Sequence, residues 1–394
     1  MLQQTACNSS TIALTSIIDL PDDCLFFIFQ RLDSCSDRES FGLTCHRCLR
    51  IQNLSRRSLQ FQCSFTQLDI SSLSHSSITI NSSHVHRLLT RFQHLHSLSL
   101  SGCTHLPDSS LSHLASYGSK LHTLRLDCCF GITDNGLSVV ATSCPSLQVI
   151  SLYRCQITDS GLESLSKSCS ILKDVNLLYC HAISDSGLRA LSQRCRQLQA
   201  VKISNCKGAA GIGFQGCSST LAYVEAESCK LDPEGISGIV SGGGIEYLNL
   251  SGLIWRKGGT GLGIIGRGFA LRLKILNLRM CRTVGDKSIV AIAEGCPLLE
   301  EWNLALCHEV RIVGWSSIGA NCQKLEKLHV NRCRNLCDRG LEALRNGCKQ
   351  LSILYMNGCV KVTPTAVELF KCYRGDVTIK VEERMCIGPM WSLR

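Results

Sequence analysis

Residues 172–197, LKDVNLLYCHAISDSGLRALSQRCRQ, decide the fold. Leu172, Val175 and Leu177 sit at offsets 0, 3 and 5, the spacing of a short strand with a buried face. Cys180 follows at offset 8, and a turn carries Ser184 and Asp185. Leu188 and Leu191 then fall one helical turn apart, and Cys195 closes the unit. The same grammar restarts at Leu95, Leu121, Leu147, Leu172, Leu198, Leu221, Ile245, Leu273, Leu299, Leu325 and Leu351, in steps of 23 to 28 residues. Self-similarity at this period predicts an α/β solenoid, in which each unit buries its apolar face only against its neighbours.

The expected architecture is a leucine-rich-repeat horseshoe of about 12 repeats of ~26 residues. The chain is 44% hydrophobic but only 6% aromatic, as a narrow stack of Leu, Ile, Val and Cys requires. Ten of its 27 cysteines occupy offset 8, from Cys103 to Cys359, and another set recurs near the repeat end, from Cys144 to Cys348. Periodic cysteine behaves as a small buried hydrophobe. The start, MLQQTACNSS, has neither a basic flank nor an apolar run, and no stretch approaches the length of a membrane span. The expected setting is a reducing cytoplasm or nucleus, with free thiols.

Residues 1–15 read as a polar tail, residues 61–394 as the solenoid with capping segments at both ends, and residues 16–60 as a separate object without the repeat grammar. In that stretch Pro21 suits a first helical position, and Asp22 and Asp23 complement a helix N-terminus. Leu25, Ile28, Phe29 and Leu32 follow at i, i+3, i+4 and i+7, one apolar face. A second helix is expected over roughly 37–48 and a third over 51–59. Some forty residues are too few to fold well alone, so the module packs on the solenoid end, docks a partner, or both.

Leu20-Pro21, Leu25, Ile28-Phe29 and Leu32, followed by Leu43, Cys45 and Arg47, resemble an F-box, although Cys48 or Leu49 stands where many F-boxes carry Trp. With cysteine-containing leucine repeats behind it, the chain is similar to F-box/leucine-rich-repeat proteins, in wording to plant members. The resemblance implies a non-catalytic, cofactor-free substrate receptor of an SCF-type cullin–RING ubiquitin ligase. Leu20, Pro21, Leu25, Ile28, Phe29 and Leu32 would meet the Skp adaptor, which carries cullin and RING subunits, and the repeats would capture a protein substrate. An apolar helix face is also by default a core face. The other readings are an interaction scaffold without ligase recruitment, or a binder of nucleic acid or phosphate through a basic loop.

Within each repeat, offsets 2, 4 and 6 point outward and line the concave face, where solenoids bind. Exposed aromatics often anchor interfaces. Tyr153, Tyr223 and Tyr247 fall in this outward set with Tyr355, and Tyr179 stands at offset 7. The grammar stumbles between residues 198 and 272, where Trp255-Arg256-Lys257 occupies a Gly-rich turn. Net charge is +10, and residues 245–281 hold six Lys or Arg against one acid. Insertions in repeats map to loops, so these three residues join the expected substrate contacts. A Ser-rich capping coil is expected over 61–94, with an opening repeat at Phe65, Leu68, Ile70 and Leu73. Val377, Ile379 and Val381 alternate as a closing strand, with Glu382, Glu383 and Arg384 as its polar edge.

Gly261, Gly263 and Gly266 match a dinucleotide fingerprint, but they do not follow a strand in a βαβ unit. Cys45 and Cys48 have metal-ligand spacing, with Cys35 and Cys63 as the further candidates, yet a second close pair is missing. A catalytic cysteine needs an exposed site with a base beside it, and the periodic cysteines read as core.

Overall fold

The computed structural model describes residues 17–61, 80–253 and 259–388. At its N-terminus three helices, α1 (Asp22–Gln30), α2 (Cys35–Thr44) and α3 (His46–Ser55), enclose a small core of Leu25, Phe29 and Ile51. The second and third helices each begin earlier than the sequence pattern indicates. Cys45 adopts an extended conformation that ends α2, and its Sγ accepts the Cys48 amide at 3.4 Å as the N-cap of α3. That accounts for Cys45 and Cys48 without a metal.

The rest is one parallel sheet whose thirteen strands follow chain order: β1 (Ser58–Gln60), β2 (Ser97–Ser99), β3 (Thr123–Arg125), β4 (Val149–Ser151), β5 (Asp174–Asn176), β6 (Ala200–Lys202), β7 (Tyr223–Glu225), β8 (Tyr247–Asn249), β9 (Ile275–Asn277), β10 (Glu301–Asn303), β11 (Lys327–His329), β12 (Ile353–Tyr355) and β13 (Thr378–Lys380). The central residues of neighbouring strands pair in register, as in Ile150 with Val175 and Val175 with Val201. Offsets 3 and 5 are sealed; Val175, Leu177, Leu188 and Cys195 are fully buried.

Two devices stitch one repeat to the next, and both were only half visible in the sequence. The offset-8 cysteines are hydrogen-bond donors as well as hydrophobes. Cys155 donates from Sγ to the Leu126 carbonyl at 3.0 Å, Cys180 to Leu152 at 3.0 Å and Cys307 to Leu278 at 3.2 Å. Each thus gives a buried carbonyl of the repeat before it a second donor, beside the amide that closes the turn there: Leu126 also accepts the Cys129 amide and Leu152 the Cys155 amide, both at 3.0 Å. Burial pushes the Cys180 thiol up to about 12, so it stays protonated and inert at neutral pH. The turn aspartates act in the other direction. Asp134 accepts from the Thr158 amide at 2.8 Å, and Asp159 from the Ser184 amide at 2.9 Å.

From β2 to β12 each strand leaves the sheet through a left-handed residue at offset 7, where Gly102 and Gly358 pose no steric cost but Arg154, Tyr179 and Arg332 also comply. Their amides are held by the following repeat; that of Tyr179 donates to the Ser204 carbonyl at 2.9 Å.

The disturbed repeats keep their strands. β6 to β9 pair without interruption, and the irregularity is confined to the other side, where short 3-10 turns at Ile212–Phe214 and Gly259–Gly266 replace helices. Gly266 is glycine because a Cβ there would lie 1.8 Å from the Ala291 carbonyl oxygen of the next helix. Of the fingerprint-like glycines, Gly266 therefore serves close packing.

Both ends differ from the sequence expectation. The outer edge of β2 is taken by Ser58–Gln60, so the opening strand lies before the Phe65–Leu73 pattern, which itself falls outside the described residues. The expected capping coil contains a helix, α4 (Ser82–Arg91). Asn81 accepts the His84 amide at 3.0 Å and His84 Nδ1 accepts the Asn81 amide at 3.3 Å, a reciprocal cap in Ser-rich wording. At the other end β13 pairs with β12, but Val381 lies beyond it and is exposed. Residues 381–388 then turn onto the concave face instead of forming a polar edge.

Candidate protein-docking surfaces

The first surface is the helical module. Asp22, at the start of α1, pairs with Arg47 and with Arg50 (2.6 Å) of α3 and ties the two helices together. The Arg47 and then the Arg50 guanidinium hold its carboxyl below the usual range. Of the six residues expected at the adaptor, Leu25 and Phe29 are buried in the module's core, which removes them from any direct contact. Their periodicity reflects packing against Ile51. Leu20, Ile28 and Leu32 are half-buried against the same core, and Pro21 is exposed. The apolar surface on offer lies elsewhere: Phe27 is 65% exposed and Leu43 85%. Phe27 stands two positions from both Leu25 and Phe29, about 200° around the helix from each, so it must face away from the core they build. That was the signal available in the sequence.

The second surface is the concave face. In its N-terminal half Tyr153 and Tyr179 meet edge to face at 5.7 Å, and the Arg154 guanidinium lies 5.8 and 5.6 Å from their ring centres. Tyr179 is 39% exposed, and its ring is turned outward by the left-handed backbone at that position. Beneath them Asp127 accepts the Ser151 hydroxyl and the Tyr153 amide (3.0 Å).

Tyr223 and Tyr247 are different. They stack face to face at 4.1 Å, are buried between Ala200 and Ile275, and are not exposed anchors. Burial pushes both phenols well above their ordinary value. Gly388 lies on Tyr247; a Cβ there would sit 3.1 Å from its ring. Trp255, Arg256 and Lys257 lie outside the described residues.

From Tyr247 onward the concave face is covered by residues 381–388. Four asparagines donate from Nδ2 to carbonyls of this segment, in order along it with Glu383 passed over: Asn357 to Val381 (3.3 Å), Asn331 to Glu382 (3.1 Å), Asn303 to Arg384 (3.3 Å) and Asn277 to Met385 (3.2 Å). The Glu383 carboxylate pairs with Arg332 at 2.7 Å and Arg279 at 3.8 Å. Below, His329 stacks on Tyr355 at 4.1 Å and its Nε2 meets Glu301 at 2.9 Å. Burial alone would raise the Glu301 carboxyl, but His329 and Lys327 hold it below its ordinary value. Nothing in the repeat period announced this covering, because it depends on where the chain goes after the last strand.

Among the described residues no group of three His, Cys, Asp or Glu side chains could hold a metal ion, and no helix is long and apolar enough to cross a membrane.

The sequence matches the F-box domain family over residues 17–59 and the Leucine Rich repeat family over 143–166 and 321–344. It is 65% identical over 379 residues to F-box/LRR-repeat protein 12 of Arabidopsis thaliana, covering 96% of each chain. The fold is similar to that in the structure of the Rad7 and Elc1 complex from yeast, with a TM-score of 0.54, 18% identity, and 91% of this chain against 92% of that one. It is also similar to an internalin from Listeria monocytogenes, with a TM-score of 0.56, 16% identity, and 91% of this chain against 87% of that one. An F-box joined to leucine-rich repeats is the architecture of non-catalytic adaptors that act through protein–protein contacts in ubiquitin-ligase-associated scaffolds. A helical module of F-box sequence on a parallel leucine-repeat sheet, with close identity along nearly the whole chain, makes this protein a member of the F-box/LRR-repeat family.

Proposed function

We propose that the chain is the substrate-recognition subunit of an SCF-type cullin–RING ubiquitin ligase, working in the cytoplasm, the nucleus or both. The helical module docks a Skp-type adaptor, and the concave face with its flanking loops holds a protein to be ubiquitinated. The supporting observation is the F-box match over residues 17–59 combined with exposed apolar side chains on its helices, Phe27 and Leu43 above all. Apolar side chains of a helix laid into a partner groove are a standard recognition mode. Leu20, Ile28 and Leu32, half-buried against the module's core, keep part of their apolar surface in solvent, and the buried free thiols fit a reducing compartment.

The test is a pull-down of the full chain with a Skp adaptor. The Phe27→Ala/Leu43→Ala variant is expected to lose at least tenfold in affinity while its circular dichroism stays that of the wild type. Undiminished adaptor binding by this variant, or none by the wild type, sinks the reading and leaves the scaffold without ligase recruitment.

A further inference from the structure

We infer that the concave face over β8–β12 is a site for an extended acidic peptide of the captured protein, and that residues 381–388 are its built-in competitor. The inference deepens the proposed function, on which it rests, by naming the class of segment the repeats take.

The covering segment is held in the manner of a ligand. Asn277 and Asn303 each use Oδ1 to accept an amide two residues on in their own strand, from Arg279 and Ala305 at 3.0 Å. This fixes the side-chain amide so that Nδ2 must donate outward, and a main-chain carbonyl of the tail receives it. With Asn331 and Asn357, which stand two residues past the ends of β11 and β12, the donors run obliquely across four repeats. Adjacent strands lie about 4.8 Å apart, so β9 to β12 spans about 14 Å. An extended chain advances about 3.4 Å per residue, so Val381 to Met385 also spans about 14 Å. The row therefore reads a stretched backbone whatever its side chains.

Selectivity comes from one position. Glu383 sits between Arg332 and the largely buried Arg279, so an acid is favoured there. The tail is an imperfect occupant. Under it Arg279 Nε, His329 Nδ1 and Asn331 Oδ1 are buried without a hydrogen-bond partner. Met385 and Val381 stay exposed, and only Ile387 is well buried. A segment that satisfied those atoms would displace it.

The probe is a fluorescein-labelled VEERMCIG peptide, the tail's own octamer, read by polarisation. A chain ending at Lys380 is expected to bind it at least tenfold more tightly than the full chain, and more weakly as salt rises. The peptide with Glu383→Gln should lose at least fivefold. Should the shortened chain fold poorly, the full chain carrying Glu383→Gln serves instead: it loosens its own tail and should gain affinity for the unaltered octamer, a gain that Arg332→Ala cancels. Equal binding by the shortened and full chains, or indifference to the peptide's acid, overturns the inference. Adaptor pull-down of the wild type runs in parallel. If it succeeds while the peptide arms fail, the ligase reading stands and only the peptide site is lost; if it alone fails, the reverse holds.

Discussion

The two halves of the concave face share one grammar and end in opposite states. Around β4 and β5 the strand positions Ser151, Asp174 and Asn176 are closed over, but just past the strand ends Tyr153, Tyr179 and Arg154 form a cluster that solvent reaches. Around β8 to β12 the face is covered by the chain itself: Tyr247, Glu301, His329 and Tyr355 are buried, and their asparagine neighbours hold the chain's own backbone. A strand's register decides which way a side chain points, but not whether anything lies on it. Outward and exposed are separate properties in a solenoid.

The largest test of this contrast is a matched pair of tyrosines. Tyr355→Ala removes a ring that is stacked on His329 and faced by Arg384, and is expected to cost about 3 kcal/mol. Tyr179→Ala, at a partly open site, should cost less than about 1 kcal/mol. Urea unfolding of the full chain measures both, and equal costs would erase the distinction between halves.

The cysteine ladder provides the control, since it lies beneath the surface in both halves. Cys180→Ala and Cys307→Ala each remove a buried sulfur and the second of two donors to a carbonyl, and each should lose about 1–2 kcal/mol in the same assay. A large inequality between them would mean that the tail stabilises the core and not merely the face.

Acid should act on one half only. The Glu301 carboxyl titrates below its ordinary value of 4.5 in the folded chain, so its contribution is present above that value and is lost as pH falls through the lower folded one. Amide exchange in residues 384–388, corrected for its intrinsic pH dependence, should quicken severalfold below pH 4.5 before the amides around Tyr153 do. Simultaneous loosening would break the link between Glu301 and the tail. The smallest effect belongs to Arg154→Ala, which removes a cation from two exposed rings and should shift stability by no more than about 1 kcal/mol.

Much of the fold was legible because a repeat states its rule many times. Leu172, Val175, Leu177 and Leu188 were read as inward and are buried; the disturbed spacing after Leu198 marked real changes, though on the helical side and not in the strands. The F-box helices were legible as an apolar face. The division of that face was not, since Leu25 and Phe29 look the same in sequence as residues that meet a partner. Phe27 lies off the periodic face, so the spacing that picks out its neighbours does not select it. The break between α2 and α3 carries neither Gly nor Pro, so only the extended Cys45 backbone reveals it.

The sequence by itself determined the solenoid, the identity of the inward residues, the separate N-terminal module and the family. These follow from local spacing, which dictates which side of a strand or helix is apolar. The tertiary structure alone decided that Tyr223 and Tyr247 are covered, that offset-8 thiols cap carbonyls one repeat back, and that Glu383 lies between Arg279 and Arg332. Each of those joins residues from different repeats, or a tail to repeats 24 to 108 positions away in chain number, and no period within the chain encodes where such a tail comes to rest.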